Sequence, residues 1–534
     1  AKCSPSELIN LILKMPVELL WNGGIGTYVK AAGETQDAAQ DKANDMLRVD
    51  ASELRCAVIG EGGNLGMTQP ARIEFSMLGG LCNTDAIDNS AGVDTSDHEV
   101  NIKILFNRAI EDKKLSRDQR NTLLAEMEDE VADLVLVNNY TQTQTISVAR
   151  HFGEELLTWL INALRVLEKR GLNRTIEFLP DDLELKKRQE KGESLTRPEL
   201  SVLLSYSKMD VYQSLLDSNL PDDAALSGEI EAYFPSAMRQ KYKTYIQSHR
   251  LKREIIATHM TNRFVGQMGP ALHLGLGILT RAGTSDIVRA WFIVQQILQA
   301  GELIAEIEAL DNRVSAQLQL ECLYSVREML FRSMVWLLGR EASEHDIESV
   351  IQDYRTLVEQ VVGRLDSYLS ATELEDGEQR ASALHEAGIP KTLAAALSRL
   401  DYRAAALEVA GISQGTGKAV DTAAAVYFQV FDKLSLGWIL NSIEQLSALN
   451  QWHERARFDL GLELMNHHSA ISRQILRLEG DDSAESMVEA WMAEHASQVA
   501  EVRKLVYQLK NRDNTDFQML SVLISGLSRL ARHE

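Results

Sequence analysis

The pattern of hydrophobic and polar residues changes near residue 105. Before that position, short apolar runs alternate with glycine-rich turns, and 11 of the 32 glycines lie in the first 100 residues. Beyond it, apolar residues recur almost everywhere at the three- and four-residue spacing of amphipathic helices. The sequence therefore predicts a mainly α protein, in which a partial Rossmann-like α/β segment at the N-terminus is followed by a large all-α helical domain.

The first 50 residues contain one predicted helix, one predicted strand and one polar segment. Ser4 and Glu7 form a capping box, with Pro5 at the first helical position, ahead of an apolar run. The apolar run at 17–21 predicts a strand, which ends in a glycine-rich turn. Residues 32–48 have few large apolar side chains, and we expect a surface helix or loop there.

The stretch 54–101 contains the elements of half a nucleotide-binding α/β unit. The apolar run at 56–59 predicts a buried strand, and apolar positions after Pro70 predict a helix. The polar stretch 83–96 predicts a second loop before the next helix. The turn between the strand and the first helix contains four glycines: Gly60, Gly62, Gly63 and Gly66.

Two interpretations of this glycine turn remain open. The dinucleotide fingerprint GxGxxG uses glycines to let backbone N–H groups approach a pyrophosphate. Gly60 and Gly62 fit that pattern, but Leu65 occupies the third position and Gly66 comes one residue late. A structural glycine turn is the alternative.

The helical half contains several boundary signals. Ser116 with Gln119 forms a second capping box, and an apolar stripe from Phe152 to Leu167 stops at Gly171. No proline occurs at 271–389 or after 390, so long helices are expected, one of them at about Ser343–Leu369. Helices with such broad apolar faces predict a bundle or an irregular α-solenoid. Linkers are expected at 171–198, 217–235 and 370–390.

Two motifs in 54–101 resemble the glutamate dehydrogenase family. That family carries an EGAN-type turn late in its cofactor domain, and here Glu61-Gly62-Gly63-Asn64 occupies it. Some two dozen residues later comes an NAGGV loop, a serine and a helix with glutamate, matched by Asn89-Ser90-Ala91-Gly92-Val93, then Ser96 and Glu99. Ala91 replaces a family glycine, and Asp97 and His98 replace two aromatic residues.

The resemblance is greatest to the large bacterial NAD-specific branch of the family, in which a segment like LLWNGGIGTYVKA, here 19–31, precedes the EGGN turn. It implies a C-terminal portion that starts within the cofactor domain. The implied domains are a C-terminal half of the NAD-binding catalytic domain at 1–110, a helical connecting region at 111–245 and a C-terminal helical domain at 246–534.

The resemblance also implies roles for particular residues. The implied cofactor-binding residues are Asn22, Gly62, Gly63, Asn64 and Asn89, with NAD as the cofactor. The implied substrate-binding residues are Asn89, Val93 and Ser96, with Ser96 bonding a carboxylate of glutamate. For Asn64 and Asn89 the alternative is turn formation, because asparagine tolerates left-handed backbone.

Ser96 and Glu99 also fit a capping box, whose helix N-terminus would attract a substrate carboxylate. Acids near a helix start usually complement the helix dipole. This interpretation is preferred to a metal site for Asp94, Asp97, His98 and Glu99.

Elsewhere, two other motifs are assigned no chemistry. The segment 411–419, GISQGTGKA, imitates a P-loop, but it has one residue too many between its glycines and Ala419 after the lysine. His467 and His468 are adjacent and point in different directions on a helix, so a surface or packing role is expected.

The composition argues against some classes of binding partner and indicates the cellular compartment. A net charge of -22 argues against nucleic acid or an anionic membrane as a partner. The four cysteines lack paired or zinc-type spacing, which indicates free thiols and a cytoplasmic protein. No run approaches 18 apolar residues, so no membrane span is expected.

The expected function is therefore part of an NAD-dependent glutamate dehydrogenase that converts L-glutamate to 2-oxoglutarate and ammonia. No segment resembles the family's lysine-bearing substrate domain, so no catalytic residue is assigned and the isolated chain is expected to be inactive. A homo-oligomer is expected for the full-length protein. The alternative is a helical interaction or scaffolding module with a vestigial α/β cap.

Overall fold

The computed structural model describes residues 3–340, 345–448, 450–478, 483–512 and 514–532. The chain forms two compact units, Ala1–Gly275 and Leu276–Glu534. The protein is mainly α-helical, as the hydrophobic pattern predicts, and its strands lie in the first 61 residues of the described chain. None of the described helices is both long and apolar enough to cross a bilayer.

Four short strands form two parallel pairs. They are β1 (Leu19–Asn22), β2 (Val29–Lys30), β3 (Val49–Asp50) and β4 (Val58–Glu61). β1 pairs with β4 so that Leu19 lies opposite Val58 and Asn22 opposite Glu61, and β2 pairs with β3. Leu81 adds a parallel bridge to the other edge of β4. The two predicted strands are thus present, and each ends one or two residues later than predicted.

The core of this N-terminal segment lies between the two strand pairs and the first helix after the glycine turn. Its buried residues are Val29, Val49, Ala51, Cys56, Ile59, Met67, Ala71, Phe75 and Cys82. All four cysteines are free thiols. Burial raises the pKa of the Cys56 thiol, so this side chain contributes as a small apolar residue.

The polar segment 32–48 is a loop with two 3₁₀ turns, Asp37–Ala39 and Lys42–Asn44. Arg48 organises it, because its guanidinium donates to the carbonyl oxygens of Thr27 at 2.9 Å and Asp41 at 2.5 Å. A buried arginine with such carbonyl partners can hold a segment that has little apolar surface of its own.

The first unit contains thirteen helices in the described residues. They are α1 (Pro5–Leu13), α2 (Gln69–Met77), α3 (Asp85–Asp88), α4 (Ser90–Glu111), α5 (Arg117–Glu126), α6 (Glu128–His151), α7 (Gly153–Lys169), α8 (Asp182–Glu190), α9 (Arg197–Leu216), α10 (Ser227–Tyr233), α11 (Ser236–Lys241), α12 (Lys243–Gln247) and α13 (Lys252–Met268). α14 (Leu272–Thr280) contains the boundary between the units.

Capping signals in the sequence correctly predict the starts of α1 and α5. The Ser4 and Ser116 capping boxes are both present, at α1 and α5. The apolar stripe of α7 ends as expected, with Gly171 in the left-handed region at φ 114°. Two expected linkers are wrong in part, because 171–198 contains α8 and 217–235 contains α10.

The predicted loop at 83–96 is also wrong. α3 and α4 fill most of it, so Ser96 lies in the second turn of α4 rather than at a helix start. The composition of the stretch, rich in Asp, Asn, Ser and Gly, favours turns when considered alone. The side-chain amide of Asn139 on α6 donates to the carbonyl oxygens of Ile87 and Asp88 at the end of α3, and this tertiary contact outweighs local preference.

The second unit is helical throughout its described residues. Its helices are α15 (Thr284–Leu298), α16 (Ala300–Glu308), α17 (Ala316–Leu338), α18 (Ile347–Gly363), α19 (Ala371–Glu386), α20 (Lys391–Leu397), α21 (Leu400–Thr416), α22 (Val420–Lys433), α23 (Leu436–Glu444), α24 (Gln451–Leu476), α25 (Ala484–Glu494), α26 (Ala496–Lys510) and α27 (Phe517–Ala531). Large buried side chains such as Trp291, Tyr427 and Trp491 fill its core.

Three expectations for this unit have clear outcomes. The long helix expected at Ser343–Leu369 is α18, which ends at Gly363; Ser343 lies outside the described residues. The linker expected at 370–390 is wrong, because α19 occupies it. The P-loop imitation begins inside α21, so it follows helix and not the strand that precedes a P-loop.

His468 is the buried member of the adjacent pair His467 and His468. His468 is buried, and its Nε2 lies 2.9 Å from the carbonyl oxygen of Tyr427. Packing is therefore its role, as expected. Desolvation lowers its pKa to about 4.

Candidate functional site

Two glycine turns meet at the carboxyl ends of β1 and β4. The carbonyl oxygen of Asn22 accepts hydrogen bonds from the backbone N–H groups of Gly62 at 2.9 Å and Gly63 at 3.0 Å. A Cβ on Gly63 would collide with the backbone of Gly24, and one on Gly62 with the Trp21 ring. Close approach of the turns accounts for these glycines. In parallel α/β sheets, ligands bind at this carboxyl end.

A buried ion pair stabilises the glycine turn that follows β4. The carboxylate of Glu61 accepts two hydrogen bonds from Arg72, at 2.7 and 2.8 Å, and both side chains are buried. Asp85 lies 3.3 Å from the same guanidinium. Its other oxygen accepts from the backbone N–H of Leu65 at 2.7 Å. Leu65 is in the left-handed region at φ 58°, so the carboxylate of Asp85 holds a backbone conformation that leucine rarely adopts.

Burial dominates the acid–base properties of this support. Desolvation raises the pKa of Glu61, and the ion pair with Arg72 opposes that shift. Desolvation also raises the pKa of Asp88, whose carboxylate accepts from the backbone N–H of Glu61 at 3.0 Å and from Asn83 at 2.8 Å. These carboxylates all have structural partners, so none is assigned as a proton-transfer group.

Asn64 and Asn89 are brought together. The side-chain nitrogen of Asn89 donates to the Oδ1 of Asn64 at 3.1 Å. Among the described residues, Asn64 Nδ2 and Asn89 Oδ1 have no hydrogen-bond partner. The pair therefore presents one free donor and one free acceptor side by side at the rim of the glycine turns.

Val93 and Ser96 continue from Asn89 along α4. Residues three, four and seven positions apart share one helix face, and both side chains are exposed on it, Val93 at 67%. The Oγ of Ser96 donates to the carbonyl oxygen of Gly92 at 3.3 Å. Asn89 Oδ1 lies so close to Gly92 that a Cβ there would be 2.9 Å from it. One exposed strip thus contains Asn64, Asn89, Val93 and Ser96.

The structure corrects the expected role of the helix start. Ser96 does not cap α4, because Asn89 occupies the N-cap position. The positive end of the helix dipole therefore lies at Asn89 and not at Ser96. The neighbouring charges also lie within the helix. Asp94 accepts from Asn138 at 2.8 Å, and His98 is buried and stacked on Tyr233 at 4.0 Å between ring centroids.

No cluster of three or more metal-ligating side chains occurs in the part of the chain that the structure describes.

Sequence reasoning missed two groups of residues. Glu61, Arg72 and Asp85 all lie in the stretch 54–101, yet only the fold brings them together. The second group is on α6, where Asn139 and Gln142 contact the α3–α4 junction. The available signal is the run NNYTQ at 138–142, which places three amide side chains in the middle of α6.

Two family models match the chain. One, described as bacterial NAD-glutamate dehydrogenase, catalytic domain, matches residues 1–149. The other, described as glutamate dehydrogenase, C-terminal, matches residues 192–529. The candidate strip lies within the first match.

Curated relatives cover the whole chain. An NAD-specific glutamate dehydrogenase of Pseudomonas aeruginosa is 39% identical over 533 residues, which is 99% of this chain and 33% of that protein. The same-named protein of Halomonas elongata is 37% identical with the same coverage. That of Mycobacterium tuberculosis is 33% identical over 538 residues, 100% of this chain and 33% of its own length. The chain spans about a third of the length of these relatives.

Proposed function

Because the chain belongs to the bacterial NAD-glutamate dehydrogenase family, we propose that its full-length protein oxidatively deaminates L-glutamate to 2-oxoglutarate and ammonia. The proposed cofactor is NAD, which accepts a hydride from the α-carbon of glutamate when bound. The chain's own contribution is to bind and orient. The observation that carries the proposal is the Asn64–Asn89 pair at the carboxyl ends of two parallel strands.

The free groups of this pair fit a nicotinamide. A primary carboxamide has one acceptor oxygen and two donor hydrogens. Asn64 Nδ2 would donate to the carboxamide oxygen, and Asn89 Oδ1 would accept from its nitrogen. The turns of Asn22, Gly62 and Gly63 would place backbone beside the cofactor, because the two glycines carry no side chain of their own.

Glutamate would lie farther along α4. The Ser96 hydroxyl is exposed and can donate to a carboxylate, and Val93 offers an apolar contact beside it. Asn89 and Ser96 are seven residues apart, about 10 Å along a helix axis. This distance leaves room for a substrate to extend from the nicotinamide-facing end of the strip to Ser96. Holding the two reactants in contact is the main contribution of such a surface to the rate.

We further propose that the β1–β4 pair belongs to a larger Rossmann-like sheet. Among the described residues, β1 has one strand partner, and its Leu19 and Trp21 side chains are 57% and 62% exposed. α1 is apolar, yet none of its residues is buried. Parallel sheets are normally covered on both faces, and the relatives are three times longer. A full-length structure in which the outer edge of β1 faces solvent would contradict this.

The remaining expectations stay proposals. Residues 1–110 would complete the catalytic domain, 111–245 would connect it, and 246–534 would serve oligomerisation or regulation. The chain alone would be inactive, because none of its described residues is assigned as a catalytic acid or base. A cytoplasmic homo-oligomer is the proposed full-length state, to be tested by cell fractionation and by light scattering of the purified protein.

The test is glutamate-dependent reduction of NAD by the full-length protein, followed by absorbance at 340 nm. We expect activity in the wild type, and a loss of about tenfold or more in kcat/KM for NAD in Asn64→Ala and for glutamate in Ser96→Ala, with little change in thermal stability. No glutamate-dependent reduction by the intact protein would overturn the proposal. Equal losses of activity and stability would mean that these residues only shape the turns.

A further inference from the structure

Three amide side chains of α6 contact α4 and its junction with α3. The Nδ2 of Asn139 donates to the carbonyl oxygen of Ile87 at 2.9 Å and to Ser90 Oγ at 3.0 Å. The Nε2 of Gln142 donates to the same two oxygens, at 2.9 and 2.6 Å. Asn138 donates to Asp94 on the next turn of α4, at 2.8 Å. We call Asn138, Asn139 and Gln142 the amide clamp.

The clamp holds the residues on both sides of Asn89. Ile87 is the residue before Asp88 at the end of α3, and Ser90 is the first residue of α4. Each of their oxygens accepts from two clamp side chains. Asn89 lies between them and makes no capping hydrogen bond with its own side chain. The direction of that side chain, toward Asn64, is therefore set by the clamped backbone.

Lys208 of α9 orients Gln142. Its ammonium donates to Gln142 Oε1 at 3.2 Å, which leaves Nε2 facing Ile87 and Ser90. Within the described chain this is the one hydrogen bond of Lys208, and no carboxylate lies within 4 Å of its nitrogen. Burial lowers the pKa of Lys208 to about 8, while Asp94 opposes the shift. Lys208 is half-buried, and one amide oxygen is a weak partner for an ammonium that is largely shielded from water, which points to a positional role.

We propose that Gln142 is a positioning residue for Asn89 and that Lys208 is a positioning residue for Gln142, so that the helices after the glycine turns set the geometry of the nicotinamide site. The inference rests on the proposed function. Gln142 lies near the end of the catalytic-domain match and Lys208 within the C-terminal match. The hydrogen-bond chain thus connects the two matched regions.

The first test measures steady-state kinetics of the full-length protein. Gln142→Glu keeps the shape and the acceptor toward Lys208 but replaces the donor toward Ile87. We expect KM for NAD to rise about tenfold, with kcat within about twofold of the wild type. Lys208→Met should raise KM for NAD several-fold. Lys208→Arg should have the wild-type KM, since arginine retains a donor toward Gln142. Lys186→Met, on the exposed face of α8, is the matched control and should change neither constant.

The second test needs no cofactor. Hydrogen–deuterium exchange of the full-length protein without NAD should show faster exchange at residues 87–92 in Gln142→Glu and Lys208→Met, and unchanged exchange in Lys208→Arg and Lys186→Met. Faster exchange throughout the first unit would instead indicate general destabilisation and would overturn the positional role.

The outcomes separate this inference from the proposed function. Unchanged exchange at 87–92, or an unchanged KM for NAD in an active enzyme, would overturn the inference and leave the function in place. Absence of glutamate-dependent activity in the wild type would overturn the function, and the nicotinamide role of the clamp with it.

Discussion

Replacing Gly92 by alanine should separate the geometry of the Asn64–Asn89 pair from the stability of the fold. Gly92 is the third residue of α4, and the structure gives it an ordinary helical backbone. A methyl group there would lie 2.9 Å from Asn89 Oδ1, closer than van der Waals contact allows. The Asn89 side chain must therefore shift, and we expect its hydrogen bond to Asn64 to break.

The two energy terms of this substitution oppose each other. Alanine stabilises a helix by up to about 1 kcal/mol relative to glycine, and less in the first turn. The lost hydrogen bond between Asn64 and Asn89, both at the surface, costs about 0.5–1.5 kcal/mol. The free energy of unfolding should change by less than about 1 kcal/mol. The new methyl group contacts Asn89 and not Asn64, so the nicotinamide carboxamide would lose its partner Asn89 Oδ1. The loss of one hydrogen bond corresponds to roughly a 2- to 10-fold weaker affinity.

The assay is titration of the full-length protein with NADH, followed by fluorescence, beside thermal unfolding of the same samples. Gly301→Ala is the matched control, because Gly301 lies in the first turn of α16 and has no atom near the position of a new Cβ. We expect weaker NADH binding in Gly92→Ala alone. Equal affinities in the two variants would refute the assigned role of Asn89.

Two further predictions concern stability. The first is that Arg72→Met, which removes one partner of the buried Glu61–Arg72 pair, should destabilise the first unit by about 3–5 kcal/mol, because Glu61 stays buried without its cation. Denaturant unfolding, followed by a probe in that unit, measures the change. A change in the free energy of unfolding of under about 1 kcal/mol would contradict the prediction. His468 has a folded-state pKa lowered from 6.5 to about 4 by burial, so its stabilising contribution is complete above pH 6.5 and is lost as pH falls from 6.5 toward 4, by roughly 3 kcal/mol at most. His468→Gln should flatten the fall in thermal stability between pH 7 and pH 4.5, and an unchanged slope would show that other groups control it.

Local chemistry was sufficient to predict some elements. The Ser4 and Ser116 capping boxes need only residues three positions apart, and both are confirmed. The strands before the two glycine turns are present, because short apolar runs that end at glycines favour strands over helices. The boundaries at 110 and 245 stay predictions.

Long-range contacts explain what could not be predicted. The sequence predicts that the helix starts at Ser96, because residues 83–96 favour turns by themselves. In the structure, amides from α6, some 50 residues later, stabilise helix there. The pairing of Glu61 with Arg72 and Asp85 likewise depends on where α2 packs. The motifs that resemble a known family located the site, but the contacts that support it come from residues outside those motifs.

The central claim is that Asn64 and Asn89 together bind the nicotinamide carboxamide. A crystal or cryo-EM structure of the full-length protein with NAD bound tests this most directly. We expect the carboxamide oxygen within about 3.2 Å of Asn64 Nδ2 and its nitrogen within the same distance of Asn89 Oδ1. A nicotinamide ring bound elsewhere, with Asn64 and Asn89 still bonded only to each other, would contradict the claim.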